Sequence, residues 1–444
     1  MHDFLDAARA AAHISDGFPF QPPIKKTHAE MMKKPLISLS LTALLATQAA
    51  ASPQPAAKPA SAPKAAEASA PAPQAASVAG NTINSSITPP EITAAAYIAK
   101  DVYSNQTLAA HNADTQIEPA SLTKMMTAYL AFKALEAGTL KPDQMLTVSE
   151  AGRTVEGSRM FLNPKVPASV SDLIKGMVVQ SGNDAAITLA EAMGDGSVDN
   201  FVKKMNEEAR RLGMEKTRFK NPTGLTAEGH LSTVNDLAIL AAALINDYSK
   251  YYPVFSIKSF KYNNIEQPNR NLLLYRDSSV DGLKTGHTES AGYNLAASSK
   301  RNGRRIVTVI VGTESTEARA TESSKLLNWA LQAFDTPKLY SADEAISRVK
   351  VYKGSADAVN VGFLDNTYIT IPHDTGSSIK PVLETMQPVL APIEKGQVLG
   401  KLKIMKGNEM IAEKDVVALD TVGEANWFKR TLDSIVLWFK NLMG

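Results

Sequence analysis

The sequence predicts an α+β domain over residues 88–337 and a small all-β domain over 338–422, closed by an amphipathic helix over 423–444. Three observations carry this expectation. A chain of 444 residues exceeds the roughly 250–300 that one hydrophobic core usually serves. Between Thr88 and Phe334 short alternating runs mix with long helical patterns, whereas from Ala345 to Thr421 the runs are short and β-branched. An Ala/Leu helical pattern over Lys325 to Phe334 stops at Pro337, where the texture changes.

The chain begins with three stretches that do not read as folded enzyme. Lys33 and Lys34, the apolar run from Pro35 to Ala46 and the small residues Ala49 to Ala51 match the three zones of a secretory signal peptide, assigned to 31–51. Residues 1–30 then read as an extension ahead of the native start. Residues 52–87, mostly Ala and Pro, form a linker without bulky side chains to bury.

In the first domain, strands are expected at Ala95 to Asp101, Gly282 to His287, Gly292 to Ser298 and Arg305 to Gly312, the last three consecutive and antiparallel. Helices are expected at Leu122 to Leu135, Leu173 to Val179 and Val234 to Asp247. In the second domain, strands are expected at Val349 to Tyr352, Val359 to Leu364, Thr367 to Ile371, Leu402 to Met405 and Met410 to Leu419. Lys406 to Glu409 form a hairpin turn between the last two. No cluster of titratable groups at catalytic spacing occurs there, so its expected role is positional.

In the terminal segment Phe428, Leu432, Ile435, Phe439 and Leu442 recur every three or four residues and form one helix face. Lys429, Arg430, Asp433, Lys440 and Asn441 lie off it. Trp427 and Trp438 suit a headgroup layer. Residues 426–444 are too short and too polar to span a bilayer, so the helix is expected to lie on an anionic membrane surface. The alternative is a terminal helix packed on the enzyme.

Composition excludes several functions. The 47 basic and 45 acidic residues offer no general field for nucleic acid, which is not expected as a partner. The absence of cysteine removes disulfides, thiol nucleophiles and thiolate-bound zinc. No His-Glu-x-x-His occurs and the histidines are scattered, so neither a metal nor another cofactor is expected.

Acyl transfer by a serine needs a nucleophile, a base within reach and donors for the developing oxyanion. Ser121-Leu122-Thr123-Lys124 opens a helix and puts the Lys124 amine within reach of the Ser121 hydroxyl. Ser61, Ser347 and Ser377 also have lysine three positions on, but in a linker or in β-rich sequence, where such a pair points to opposite faces. Ser181-Gly182-Asn183 follows an apolar helical run, and its hydroxyl could relay a proton. Lys284-Thr285-Gly286 lies on the first of the three late strands. There Gly286 lets a peptide backbone approach, and Lys284 and Thr285 can hold a carboxylate. Taken singly, a helix cap, a turn and an edge strand explain each motif. All three in this order form a known signature of β-lactamases and penicillin-binding proteins.

With these motifs the chain resembles the low-molecular-mass penicillin-binding proteins that are serine-type D-Ala-D-Ala carboxypeptidases (peptidase S11-like). The resemblance covers about Thr88 to Gly444. It includes Gly157 to Leu162, Gln180 to Ala185, Asn269 to Asn271 and Asp281 to Leu295. It implies a β-lactamase/transpeptidase-like catalytic domain, with an antiparallel sheet and helices. It also implies an enzyme on the periplasmic face of the inner membrane that trims the last D-Ala from peptidoglycan stem pentapeptides and is acylated by β-lactams.

Carried over by motif, Ser121 resembles the nucleophile, Lys124 its base, and Ser181 with Asn183 the proton-relay and amide-orienting pair. Lys284 and Thr285 resemble the carboxylate-binding pair, the N–H groups of Ser121 and His287 the oxyanion donors, and Arg270 and Arg319 neighbours of the substrate carboxylate. Pro222-Thr223-Gly224-Leu225 departs from members that have histidine before Gly-Leu, which bears on deacylation. Lys124 can act as a base only if its pKa falls, through burial or the charge of Lys284. A Ser-His-Asp triad through His287 is disfavoured, since no acid is placed by sequence. A β-lactamase and a non-catalytic cell-wall scaffold are the rival functions.

Overall fold

The computed structural model describes residues 87–373, 375 and 378–443. The extension, the signal peptide and all of the linker but Ile87 lie outside the described residues.

Five antiparallel strands form the central sheet: β1 (Ala96–Asp101), β2 (Thr107–His111), β3 (Val280–Thr288), β4 (Gly292–Arg301) and β5 (Arg304–Thr313). Their order is β2-β1-β5-β4-β3, so β3, which carries Lys284 to Gly286, occupies one edge. Alternation along these strands sends Ile98, Val307 and Val309 into the main helical core. Ala99, Ile306 and Ile310 go to the opposite face, against Leu326, Leu327 and Ala330 of a helix over Thr316–Ala333. The β3 edge is pinned by Arg305, whose guanidinium donates to both oxygens of Asp281 at 2.9 and 2.7 Å.

Helix α1 (Lys124–Glu136) runs through the middle of the helical layer, and every residue from Lys124 to Phe132 is buried. A helix apolar nearly all round belongs inside a core, and α1 meets that condition. Around it stand α2 (Val170–Val179), α3 (Asn183–Met193) and α4 (Val234–Asp247). Ser169 and Thr233 cap α2 and α4 by accepting from the N–H groups of Asp172 and Asp236. A helix over Val198–Arg211 and a hairpin of Ser259–Tyr262 with Ile265–Pro268 were not anticipated.

The second domain is a six-stranded sheet in the order Ile379–Thr385, Val398–Lys406, Glu409–Ala418, Ala358–Gly362, Ala345–Tyr352, Val389–Leu390. The expected hairpin is present, with Gly407 at φ +60° in its turn. The single strand expected over Thr367 to Ile371 is instead two short pieces. Thr367–Tyr368 pairs with Lys338–Tyr340, and Ile371–Pro372 pairs with Phe334–Asp335. The edge strand Ile379–Thr385 gave no sequence signal, because its side chains are mostly exposed and it contains Pro381.

The domains meet across a polar seam. The Thr336 hydroxyl donates to Asp101 at 2.6 Å, the Thr370 N–H to Gln106 at 2.7 Å and the Lys414 amine to the Ser104 carbonyl at 3.0 Å.

The terminal helix α5 (Trp427–Met443) presents its polar side to the β domain. Asp433 accepts from the Lys353 N–H at 2.5 Å, Lys440 donates to the Tyr352 hydroxyl at 3.0 Å, and Lys429 pairs with Asp357 at 2.6 Å. Phe428, Leu432, Ile435, Phe439, Leu442 and both tryptophans are exposed. The helix therefore touches the protein with its polar face, and its apolar face is not packed on the enzyme. No described helix is long and apolar enough to cross a membrane.

Candidate active site

Ser121 does not start the α-helix itself. It lies in a 3-10 turn, Ala120–Thr123, that precedes α1. Side chains three apart eclipse in that geometry, which brings Lys124 Nζ to 3.1 Å from Ser121 Oγ. The turn is held by an unusual backbone. Ala120 has φ +48°, and a Cβ on Gly224, itself at φ +82°, would lie 1.8 Å from the Ala120 carbonyl oxygen. Only glycine at 224 lets the loop press against the turn this closely.

The Lys124 amine is 1% exposed and also donates to Asn183 Oδ1 and to the Thr223 carbonyl, each at 2.6 Å. Burial, followed by the positive charge of Arg270, lowers its pKa to about 7, against an opposing pull from Asp184. Burial was anticipated, but the part played by Arg270 was not. Burial also drives Lys284 well below its ordinary value, followed by the charges of Lys124, Arg270 and Arg319. The charge of Lys284, expected to lower the Lys124 pKa, is not among its causes; the influence runs the other way, from Lys124 onto Lys284.

The second motif sits where α2 ends and α3 begins. Ser181 has φ +74°, and its buried Oγ has no protein partner. Asn183 accepts from Lys124, and its amide donates to the Glu156 carbonyl at 2.6 Å. Asp184 accepts from the N–H groups of Met160 and Leu162 at 2.9 and 3.1 Å, fixing the Gly157 to Leu162 segment as a wall of the site.

Strand β3 supplies the third side, with Lys284, Thr285 and Gly286 all buried. A Cβ on Gly286 would come within 3.3 Å of both the Pro119 carbonyl oxygen and the Ser121 nitrogen, so strand and turn pack backbone to backbone. Lys284 Nζ donates to the Thr285 carbonyl at 3.0 Å. Arg319 donates to the carbonyls of Gly286 at 3.2 Å and Arg270 at 3.4 Å, and lies over the Tyr293 ring. The Arg270 side chain is exposed. The His287 ring is also exposed and rests on Tyr293, 4.1 Å between centroids, while the partner of the Ser121 hydroxyl is Lys124. A hydroxyl, an amine about half unprotonated at pH 7 and a strand edge beside them are the parts an acyl transfer requires.

The model of the D-alanyl-D-alanine carboxypeptidase family matches residues 83–315, and that of the penicillin-binding protein 5 C-terminal domain matches 334–424. The D-alanyl-D-alanine carboxypeptidase DacA of Haemophilus influenzae is 40% identical over 376 residues, 83% of this chain and 95% of the relative. DacC of Escherichia coli is 37% identical, over 81% of this chain and 92% of its own length. Crystal structures of penicillin binding protein 5 from Haemophilus influenzae superpose with a TM-score of 0.72 at 40% identity, covering 76% of this chain and all of theirs.

The chain belongs to the D-alanyl-D-alanine carboxypeptidase family. It is therefore a hydrolase of the cell wall, with the penicillin-binding fold anticipated from the three motifs.

Of the ten sequence-derived residues of this carboxypeptidase, Ser121, Lys124 and Asn183 are joined by hydrogen bonds, Gly286 packs on the Ser121 turn, and Arg319 reaches the Gly286 carbonyl. Lys284 lies within electrostatic reach of Lys124, Arg270 and Arg319, while Ser181, Thr285 and His287 are placed by their neighbours in sequence. Three further contributors have roles that the sequence does not assign. The Thr223 carbonyl holds the base, and a backbone carbonyl has no signature in a sequence. Asp184 fixes the wall, although it fell within the matching Gln180 to Ala185 stretch. His230, buried against Thr123, lay in no motif.

Proposed function

We propose that the chain removes the terminal D-Ala of peptidoglycan stem pentapeptides through an acyl-enzyme on Ser121. The reading rests on one observation, the 3.1 Å approach of a buried amine to the Ser121 hydroxyl beside a glycine-bearing strand edge. Neutral Lys124 takes the hydroxyl proton as Ser121 Oγ attacks the penultimate D-Ala carbonyl. The N–H groups of Ser121 and His287 receive the oxyanion, and Asn183 orients the peptide amide. Ser181 relays a proton to the departing D-Ala nitrogen as the peptide bond breaks. Water then cleaves the ester. Lys284 and Thr285, with Arg270 and Arg319 behind them, hold the terminal carboxylate, and Gly286 lets the peptide lie along β3. A β-lactam enters the same route and acylates Ser121, in keeping with the penicillin-binding relatives.

The assignment of 88–337 as catalytic, 338–422 as a positional β domain and 423–444 as an anchor belongs to the same proposal. So does export by a signal peptide at 31–51 to the periplasmic face of the inner membrane. The outward apolar face of α5, flanked by two tryptophans, supports attachment to an anionic lipid surface. Sedimentation with anionic vesicles, lost on deletion of 426–444, is the expected outcome.

Release of D-Ala from a pentapeptide ending in D-Ala-D-Ala tests the catalytic reading. Release by the wild type, none by Ser121→Ala, and a penicillin adduct mapped to Ser121 are expected. No release, or release by Ser121→Ala, overturns it. A long-lived penicillin adduct separates the carboxypeptidase from a β-lactamase.

A further inference from the structure

His230 belongs to no catalytic motif, yet it is 1% exposed and bonded through both ring nitrogens. Nδ1 is 2.9 Å from the Lys220 N–H, which can only donate, so Nδ1 accepts. The ring proton of the neutral form is therefore on Nε2, which donates to Thr123 Oγ1 at 2.8 Å. Thr123 lies between Ser121 and Lys124 in the motif. Lys220 begins the loop that delivers the Thr223 carbonyl to the Lys124 amine. In that loop the Pro222 carbonyl also accepts from Thr127 of α1 at 2.8 Å, and Asn221 Oδ1 gathers the N–H groups of Thr223 and Gly224 at 3.1 and 2.7 Å. The imidazole thus joins the nucleophile-bearing turn to the base-holding loop from below.

We infer that His230 is a positioning residue for acylation, a neutral imidazole that sets the height of the Lys124 amine against the Thr223 carbonyl and keeps water from beneath it. The inference rests on the reading of Ser121 and Lys124 as nucleophile and base. The charged groups facing Lys124 are Asp184 from α3, Arg270 from the segment before β3, and Lys284 from β3. Those facing His230 are Glu118, Lys124 and Lys220. Burial keeps the ring neutral, with its pKa near 4, so the donor and acceptor roles persist throughout the working pH range. Burial does more than any neighbouring charge to lower the Lys124 pKa, so water admitted at the 230 position reverses part of that fall.

The test is the pH profile of penicillin acylation in the full chain, with the adduct mapped to Ser121. In His230→Ala the ascending limb moves up by about one pH unit, and acylation at pH 7 falls about tenfold. In His230→Gln, which offers a donor and an acceptor, the limb stays within about 0.3 unit of wild type. A limb that stays put in His230→Ala, or moves equally in both variants, overturns the inference. Should His230→Ala not fold, Thr123→Val takes its place: a shifted limb supports the inference and an unshifted one overturns it. Failure of the wild type to form a Ser121 adduct would instead sink the reading of nucleophile and base.

Discussion

Replacing Lys124 by Arg isolates the chemistry of the base from its charge. A guanidinium stays protonated at any working pH, so the variant keeps a cation in the slot but cannot accept a proton. The size of the loss follows from the environment of the amine. An ordinary lysine at 10.5 is unprotonated in roughly one molecule in three thousand at pH 7, whereas at about 7 it is unprotonated in about half. The site therefore supplies a roughly fifteen-hundredfold gain in available base, about 5 kcal/mol when the full pKa displacement is converted to free energy.

The assay is the acylation rate constant with a labelled penicillin from pH 5 to 9, resolved from the dissociation constant of the first complex. The wild-type rate rises about tenfold per pH unit and levels off with a midpoint near 7. Lys124→Arg loses at least about a thousandfold at pH 7, and the limb disappears. Lys284 titrates with the opposite sign, because it must carry its proton to hold a carboxylate. Its loss of charge weakens binding as pH rises and does not produce an ascending limb. A wild-type profile flat across this range, or an ascending limb surviving in Lys124→Arg with the thermal transition intact, would mean that Lys124 is not the base.

Three further outcomes are expected. Gly224→Ala forces a Cβ toward the Ala120 carbonyl at a backbone angle unsuited to side chains, so it loses at least about 3 kcal/mol in chemical denaturation and most of its penicillin labelling per folded molecule. Ser181→Ala removes a buried hydroxyl that has no protein partner, so its unfolding free energy stays within about 1 kcal/mol of wild type while D-Ala release falls at least about a hundredfold. His230 is neutral when folded down to about pH 4 but takes up a proton near 6.5 when unfolded. Its contribution is complete above about 6.5 and is lost as pH falls toward 4, costing about 2–3 kcal/mol at pH 4.5. In urea unfolding, His230→Gln should lose correspondingly less stability than wild type between pH 7 and 4.5.

Elements that follow local rules could be read from the residues alone. Strands β3 to β5 were legible because β-branched runs alternate with short polar turns, and α4 because its apolar period is 3.6 residues. The three motifs were legible only together and in this order, as a known signature, since a cap, a turn and an edge strand explain each one alone. The inward turn of Asp433 was not, since the amphipathic pattern of α5 says which residues share a face but not what that face meets. Nor was the edge strand Ile379–Thr385, whose exposed side chains carry no burial pattern.

How the base is made depends on contacts distant in sequence. The 3-10 form of the Ser121 turn, the left-handed Ala120, the Thr223 carbonyl and the His230 bridge all arise from a loop pressed onto α1 about a hundred residues away in sequence. Backbone carbonyls carry no residue identity, and desolvation belongs to a place in the fold rather than to a residue type. Spacing alone could therefore name Lys124 but not the dry slot that lets it give up its proton.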